Sequence, residues 1–281
     1  MKEITEVGAT PNRLAILYGT LADAGTKVYE RALLARLMAP ASLARTDAAE
    51  DNAFSDCVTA GLELGLFTQD GPMIRLAAER HTAFLPAVEA RLIREPCSVR
   101  ESDGTCAGAI AWMLCQDPLD PLPWKGSDGT ARVRAQFDGT AHFALTSDLR
   151  YQQAVYWARA LGFVERAPGQ DDVVIPDPTV AVSRLITRVL PPGSRLPLGV
   201  FLHDLAERCP VLDLGRLRQE VEQMAGLQRE ANTISGSLAL ALTRLQSRRS
   251  IELHYLDDGT PWFFEGSPGV RWSHVSLPEV V

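Results

Sequence analysis

The sequence has few lysines, no excess of positive charge and no long apolar run. Only three of its 281 residues are lysine, and the net charge at pH 7 is −7. A protein that coats nucleic acid with a uniformly basic surface is therefore excluded, although a local patch of arginines is not. The longest nearly apolar run, AGAIAWMLC at 107–115, is about half of the roughly 20 residues that a membrane-spanning helix needs. We therefore expect no contact with a membrane.

Cysteine is also scarce, and the five cysteines show no short paired spacing. Their odd number and the lack of a signal peptide predict a reduced, cytoplasmic protein. Cys97, Cys106 and Cys115 are evenly spaced, but nine residues along a helix place Cys106 and Cys115 on opposite sides. They could not share a metal ion within one helix, so we expect buried apolar cysteines, no metal and no cofactor.

Sequence motifs of catalysis are missing as well. The chain has no P-loop, no G-x-S-x-G elbow, no H-E-x-x-H and no G-x-G-x-x-G. The five histidines are scattered, and the neighbouring side chains of His203 and Asp204 would diverge on a helix. We therefore expect a protein that is not an enzyme. An enzyme whose site assembles from scattered residues is the alternative.

One pattern occurs twice in the chain. ELGLFTQDGPMIRL at 63–76 and ALGFVERAPGQDDVVI at 160–175 both contain Leu-Gly, an apolar pair, a polar turn and an apolar end. We predict that Gly65 and Gly162 end a helix with a positive φ and lead into a hairpin. A third, looser copy follows in SLALALTRLQSRR, IELHYL and PWFFE, in which Arg249-Ser250 replaces the Leu-Gly.

Three helices precede the first hairpin, as their apolar spacing indicates. Thr10 and Pro11 begin the first helix, the second covers 27–38, and the third covers about 48–64. Three helices followed by a hairpin is the plan of a winged helix, an extended helix-turn-helix. The alternative is that any α+β protein can reuse a helix, a glycine and a hairpin.

The sequence thus predicts a mainly helical α+β protein of repeated winged-helix-like modules joined by helical segments. Between Gln116 and Gly139 the chain is rich in Pro, Gly and Asp, which predicts a long loop. The predicted segments are a first module at 1–80, a helical segment with this loop at 81–140, a second module at 141–178, a helical segment at 179–232 and a third module at 233–281.

Charge separates the modules as candidates for binding nucleic acid. The third helix of the first module contains five acidic residues from Asp47 to Glu63 and no Lys or Arg, so phosphates would be repelled. Glu50 and Asp51 are therefore candidates for binding a partner protein, unless this face is simply solvated.

The later modules contain the candidate residues for nucleic acid. In the second module these are Arg150, Gln152 and Arg159, which could reach phosphates or base edges. In the third module they are Arg244, Arg248 and Arg249, and the SRRS run at 247–250 is the best phosphate candidate. An arginine pair at a helix end is alternatively only a favourable partner for the helix dipole.

Trp124 lies in the predicted loop and has two interpretations. It either folds back onto the core or offers an anchor for a partner protein.

The chain also resembles a known family. TPNRLAILYGTL at 10–21, AIAWMLCQDPLDPLPW at 109–124, LGF followed by VIPDPT, and CPVLDLGRLRQEVE at 209–222 are similar to DpdG. DpdG is a component of bacterial genomic islands that place deazaguanine bases in DNA and are associated with restriction of foreign DNA. The resemblance implies a role in DNA modification or antiphage defence beside other subunits, and it implies no catalytic residues.

We therefore expect a non-enzymatic adaptor or DNA-contacting subunit of such a complex. Its expected partners are other subunits of the same system and DNA, and self-association stays open. The alternative is a winged-helix transcriptional regulator, which should present a basic helix in every module that faces DNA.

Overall fold

The computed structural model is mainly helical with small sheets, which confirms the predicted α+β class. It forms two compact units, Met1–Glu95 and Pro96–Val281. No helix in the described ranges has both the length and the apolar character needed to cross a membrane. The structure describes residues 8–23, 28–38, 49–77, 83–100, 105–137, 145, 147–167, 169 and 172–278.

The first unit combines helices with one antiparallel sheet, in which the strand order is β1-β3-β2. A helix and a π-helical turn, Ala90–Arg94, follow the sheet. In chain order the elements are α1 (Pro11–Asp23), β1 (Val28–Glu30), α2 (Arg31–Met38), α3 (Ala49–Glu63), β2 (Phe67–Asp70), β3 (Met73–Leu76) and α4 (Phe84–Glu89).

The core of the first unit forms around α1. Its leucines at helical spacing are fully buried, and the Tyr18 ring lies 6.4 Å from Phe67 and 5.6 Å from Phe84. The predicted helix over 27–38 is too long in the described residues, since Val28–Glu30 is a strand that pairs with β3. Its β-branched and aromatic residues suit a strand better than a helix.

The second unit begins with the same order of elements as the first. The elements are α5 (Thr105–Leu114), β4 (Leu122–Pro123), α6 (Gly126–Gln136), α7 (Asp148–Ala160), β5 (Val164–Arg166) and β6 (Val173–Pro176). Their antiparallel sheet has the order β4-β6-β5, so the strand before the two helices again pairs with the last strand. The second copy of the pattern therefore begins before the residues at 141–178 that the sequence suggested.

The predicted long loop at 116–139 is wrong, because α6 and β4 lie within it. The glycines that indicated a loop instead allow α6 and α7 to approach closely. A Cβ at Gly126 would lie 2.4 Å from the Asp148 carbonyl oxygen, and one at Gly129 would lie 2.1 Å from the Tyr151 ring. The Thr130 hydroxyl donates to Asp148 at 2.6 Å and joins the two helices.

The rest of the second unit repeats this order a third time, with two insertions. The elements are α8 (Thr179–Val189), β7 (Arg195–Pro197), α9 (Leu198–Arg208), α10 (Arg216–Met224), β8 (Thr233–Ile234), α11 (Gly236–Ser247), β9 (Glu252–His254), β10 (Trp262–Phe264), β11 (Ser267–Trp272) and β12 (His274–Ser276). The sheet β7-β12-β9 matches the earlier sheets, while α10–β8 and β10–β11 are inserted. The two insertions form a separate sheet, β11-β10-β8.

This third copy differs from the one that the sequence indicated. PWFFE does form a strand, β10, but it pairs with β8 and β11 and not with β9. The return strand for β9 is β12, beyond the inserted hairpin. The first helix and strand of the copy lie at 179–197, in the predicted helical segment.

The joint between the last helix and the next strand is the same in all three copies. Gly65 and Gly162 have φ values of 58° and 78°, which confirms the prediction for both glycines. In the third copy the equivalent residue is Arg249, with φ 56°. In each copy this residue donates to the carbonyl three residues earlier, and the next residue donates to the carbonyl five residues before it. The Leu-Gly pair is thus replaced by Arg248-Arg249, one residue earlier than the sequence suggested.

Candidate nucleic-acid interface

Helix α7 has one buried face and one accessible face. Its N-cap Ser147 accepts a hydrogen bond from the Arg150 amide at 3.3 Å, and Tyr151 and Val155 are fully buried. Arg159 is exposed in the last turn, and Gln152 is half-buried on the same side. Nε2 of Gln152 has no hydrogen-bond partner within the described part of the chain. Nε2 is itself buried, so this amide is an unsatisfied donor inside the protein and not an accessible contact for a ligand.

The ends of α7 and α11 meet at a cavity of about 340 Å³. Arg159 from α7, Arg166 from β5 and Arg248 at the end of α11 all line it, together with Glu165 and Asp177. Two residues that the sequence placed in different modules, Arg159 and Arg248, are thus brought together. Within the described ranges, neither guanidinium group makes a hydrogen bond or an ion pair.

Arg244 points to the carboxylates beside this cavity. Its Nη1 lies 2.7 Å from Glu165 Oε2 and also contacts Asp177, of which 4% is exposed. Burial opposes the charged form of Arg244, but its hydrogen bond to Glu165 and the charge of Asp177 raise its pKa above the usual value. Arg244 therefore joins the second and third copies through ion pairs, which leaves it less able to contact a ligand.

Asp177 also stabilises the start of α8. Its Oδ1 accepts from the Thr179 amide at 3.0 Å and from the Thr179 hydroxyl. Both carboxylate oxygens are thus used inside the protein, and the negative charge of Asp177 is matched by Arg244. Neither acid beside the cavity needs Arg159 or Arg248 as its partner.

Trp124 is half-buried and held in place. Its ring lies 5.2 Å from the Arg166 guanidinium and 5.5 Å from the Tyr156 ring, and its amide donates to the Asp172 carbonyl at 2.6 Å. It thus packs beside the cavity through Arg166. Its role as an anchor for a partner stays a prediction.

The other predicted residues are apart from this cluster. Arg150 is half-buried in the first turn of α7, and Arg249 is exposed beside Arg248. Glu50 and Asp51 belong to α3, but their side chains lie outside the described part of the structure. No sequence pattern indicated Arg166 or Tyr156, because only the fold brings them to Trp124.

A buried network of charged side chains connects the inserted segment α10–β8 to α11. The Arg218 side chain is fully buried, and its Nε donates to Glu222 at 2.7 Å. Asp213 accepts from the amide and hydroxyl of Ser235, the N-cap of α11, at 2.6 and 2.7 Å. Arg218 Nη2 lies 3.6 Å from Asp213. These contacts fix α10 to the first turn of α11.

One serine–histidine contact has the elements of a catalytic pair. His254 Nε2 lies 2.8 Å from the Ser276 hydroxyl and 3.9 Å from Glu252. A nucleophile and its base need a third group on the other ring nitrogen, Nδ1, to orient the imidazole. Here the carboxylate approaches the nitrogen that already contacts serine, so the arrangement lacks that geometry.

Cys97 is exposed, contrary to the expected burial, whereas three other cysteines offer little reactivity. Burial raises the pKa of Cys57 and Cys115 to about 11 and that of Cys106 to about 12, so these thiols stay protonated at neutral pH. In the part of the chain that the structure describes, no group of three His, Cys, Asp or Glu side chains could hold a metal ion.

Comparison with known proteins identifies a family for the chain. No curated protein and no solved structure matches the chain. The family model of DpdG-like proteins matches residues 1–259, which include the cavity, all three joints and every predicted site residue. The chain therefore belongs to the DpdG-like family.

Proposed function

We propose that this protein is a non-enzymatic subunit of a bacterial deazaguanine DNA-modification and antiphage defence system. In this proposal the second and third winged-helix modules contact DNA, and the first module binds other subunits. Membership in the DpdG-like family supports the biological setting. The single observation that carries the DNA contact is the convergence of Arg159 and Arg248 from two copies at one cavity.

The winged-helix interpretation is supported by the topology. Each copy has a helix, a strand, two helices and two strands, and the first strand pairs with the last. In winged helices the third helix commonly enters the major groove while the hairpin lies beside it. The helices in that position here are α3, α7 and α11.

The three helices differ in what they can contact. α3 contains no Lys or Arg, so it would repel phosphates and suits a protein partner, with Glu50 and Asp51 as candidates. α11 contains Arg244, which is held by Glu165 and Asp177. α7 retains Arg159 on its accessible side, with the half-buried Gln152 two turns before it. We assign the DNA contact to α7 and to Arg248-Arg249, with Arg150 in support.

This distribution favours a subunit over a transcriptional regulator that reads DNA with every module. A regulator would need a basic third helix in each module that faces DNA. Among the described residues of these three helices, Arg159 of α7 is the arginine that combines exposure with the absence of an internal partner. We therefore expect the modules to divide their tasks between DNA and protein.

The salt dependence of DNA binding tests this proposal. The affinity for a fluorescent duplex would be measured by anisotropy between about 50 and about 200 mM salt. Changing Arg248 and Arg249 to Ala should weaken binding and reduce the slope of log K against log salt by about 0.9 for each phosphate that the variant no longer neutralises. Arg208→Ala, an exposed arginine at the end of α9, is the matched control.

Two outcomes would contradict the proposal. The wild-type protein should bind DNA, so a lack of binding at about 50 mM salt would exclude the DNA contact. Equal slopes for the double variant and the Arg208 control would remove Arg248 and Arg249 from the interface. Co-purification with other subunits of the same island would test the adaptor role separately.

A further inference from the structure

The cavity between the second and third copies has the charge of a phosphate site. Arg244 occupies the two carboxylates beside it, Glu165 and Asp177. Arg159 and Arg248 line the cavity, and within the described residues neither forms an ion pair. Two guanidinium groups with free donors suit a phosphate, whose oxygens accept several hydrogen bonds at once.

The surroundings of the cavity also suit a planar ring. Arg166 lines the cavity, and its guanidinium lies over the Trp124 ring at 5.2 Å. A guanidinium is planar and stacks on flat rings, so it can lie between a tryptophan and a nucleobase. Tyr156 supports Trp124 from the side, at 5.5 Å and 71°. The stacking group is thus fixed before a ligand arrives.

The volume limits the ligand to a small group. A cavity of about 340 Å³ lies at the lower end of the range for small-molecule sites. It is wider than a phosphate requires and too narrow for a duplex. The volume of the cavity, its phosphate contacts and its stacking contact therefore suit a single nucleotide.

We propose that this cavity binds a single unstacked nucleotide, with its phosphate on Arg159 and Arg248 and its base on Arg166. This inference rests on the proposed DNA contact and adds the class of ligand to it. The nucleotide could belong to a DNA strand or be free in solution, because both present the same phosphate and base. A protein that handles modified bases would gain access to one base in this way.

Three probes distinguish a nucleotide in a DNA strand from a free nucleotide and test the stacking contact. They are a fluorescent single-stranded oligonucleotide, an abasic oligonucleotide of the same length, and a mononucleotide competitor. We expect the base-bearing strand to bind about tenfold more tightly than the abasic strand, since a stacked base adds affinity that the abasic strand lacks. Competition by the mononucleotide would identify the free nucleotide as a ligand, and its absence would identify the strand.

Two variants test the assigned residues. Arg159→Ala with Arg248→Ala should weaken binding of both strands about tenfold, because the phosphate then loses both guanidinium groups assigned to it. Arg166→Lys keeps the charge but removes the planar group, so it should abolish the preference for the base-bearing strand. Its salt dependence should stay that of the wild type. Arg208→Ala again serves as the control, and circular dichroism would verify that each variant is folded.

The result that overturns the inference is equal binding of the base-bearing and abasic strands by the wild-type protein. An unchanged preference in a folded Arg166→Lys variant would overturn it as well. Binding of duplex DNA distinguishes this failure from failure of the proposed function. If duplex binding persists and still depends on Arg248 and Arg249, only the nucleotide site is wrong.

Discussion

The joints of the second and third copies share their hydrogen bonds and differ in one residue. Gly162 and Arg249 both adopt a left-handed backbone, at φ 78° and 56°, and both end a helix before a strand. Glycine adopts this conformation without strain, whereas an arginine is disfavoured there by about 1 kcal/mol. The fold therefore requires the conformation in both copies but requires glycine in only one.

The space around the two joints explains where glycine is required. A Cβ at Gly162 would lie 2.7 Å from the Val180 side chain, because α8 begins directly against this joint. Arg249 is exposed, so its side chain extends into solvent. An arginine at the third joint is thus tolerated, and it adds a charge beside Arg248. One substitution tests how the third copy is stabilised and two test the joints, beginning with the largest expected effect.

Removing Asp213 tests whether the insertion stabilises the third copy. Asp213→Ala would remove the acceptor for the Ser235 N-cap and leave the buried Arg218 with one carboxylate fewer. Because it breaks a buried ion pair, we expect a loss of about 3 kcal/mol in the free energy of unfolding, measured with urea. Glu207→Ala, on the exposed side of α9, should change little. A loss as small as that of Glu207→Ala would show that the network is dispensable.

Gly162→Ala tests the crowded joint. The added methyl group both strains the backbone and meets Val180, so we expect a loss of about 2 kcal/mol in unfolding free energy. Gly169→Ala separates the two causes, since Gly169 has a similar φ of 74° and no described atom within 4 Å of its Cβ position. Equal losses for the two variants would mean that the Val180 contact contributes nothing.

Arg249→Gly has the smallest expected effect, and its sign is the opposite. Relief of the left-handed strain should exceed the added freedom of the unfolded chain and stabilise the protein by about 0.5 kcal/mol. Arg248→Gly is the control. Arg248 has an ordinary φ of −82°, so glycine relieves no strain there and should destabilise the protein. Thermal unfolding would measure both. Destabilisation by Arg249→Gly would indicate that the arginine side chain supports the fold itself.

The sequence predicted local structure well where geometry depends on neighbouring residues. The positive φ of Gly65 and Gly162 followed from the pattern alone, and the start of α1 followed from Thr10 and Pro11. The prediction failed where glycine serves a distant contact. Gly126 and Gly129 lie in α6, which α7 approaches closely. The residues around these glycines do not indicate that contact, because α7 is distant in sequence.

The candidate site was predictable only in part for the same reason. Arginines near helix ends could be selected from the sequence, and Arg159 and Arg248 do lie together. The ion pairs of Arg244 with Glu165 and Asp177 depend on how two copies pack, over separations of 79 and 67 residues. The stack of Arg166 on Trp124 likewise depends on the pairing of β4 with β6.

The small sheet β11-β10-β8 links the fates of the two inserted segments. One segment supplies β8 from before α11, the other supplies β10 and β11 from after β9, and β8 pairs with β10 in parallel. Excising the segment with β8 would expose one edge of β10, and excising β10 and β11 would leave β8 without a partner strand in this sheet. Either exposed edge could pair with a strand of another chain. A minimal third copy therefore requires that both segments be removed together.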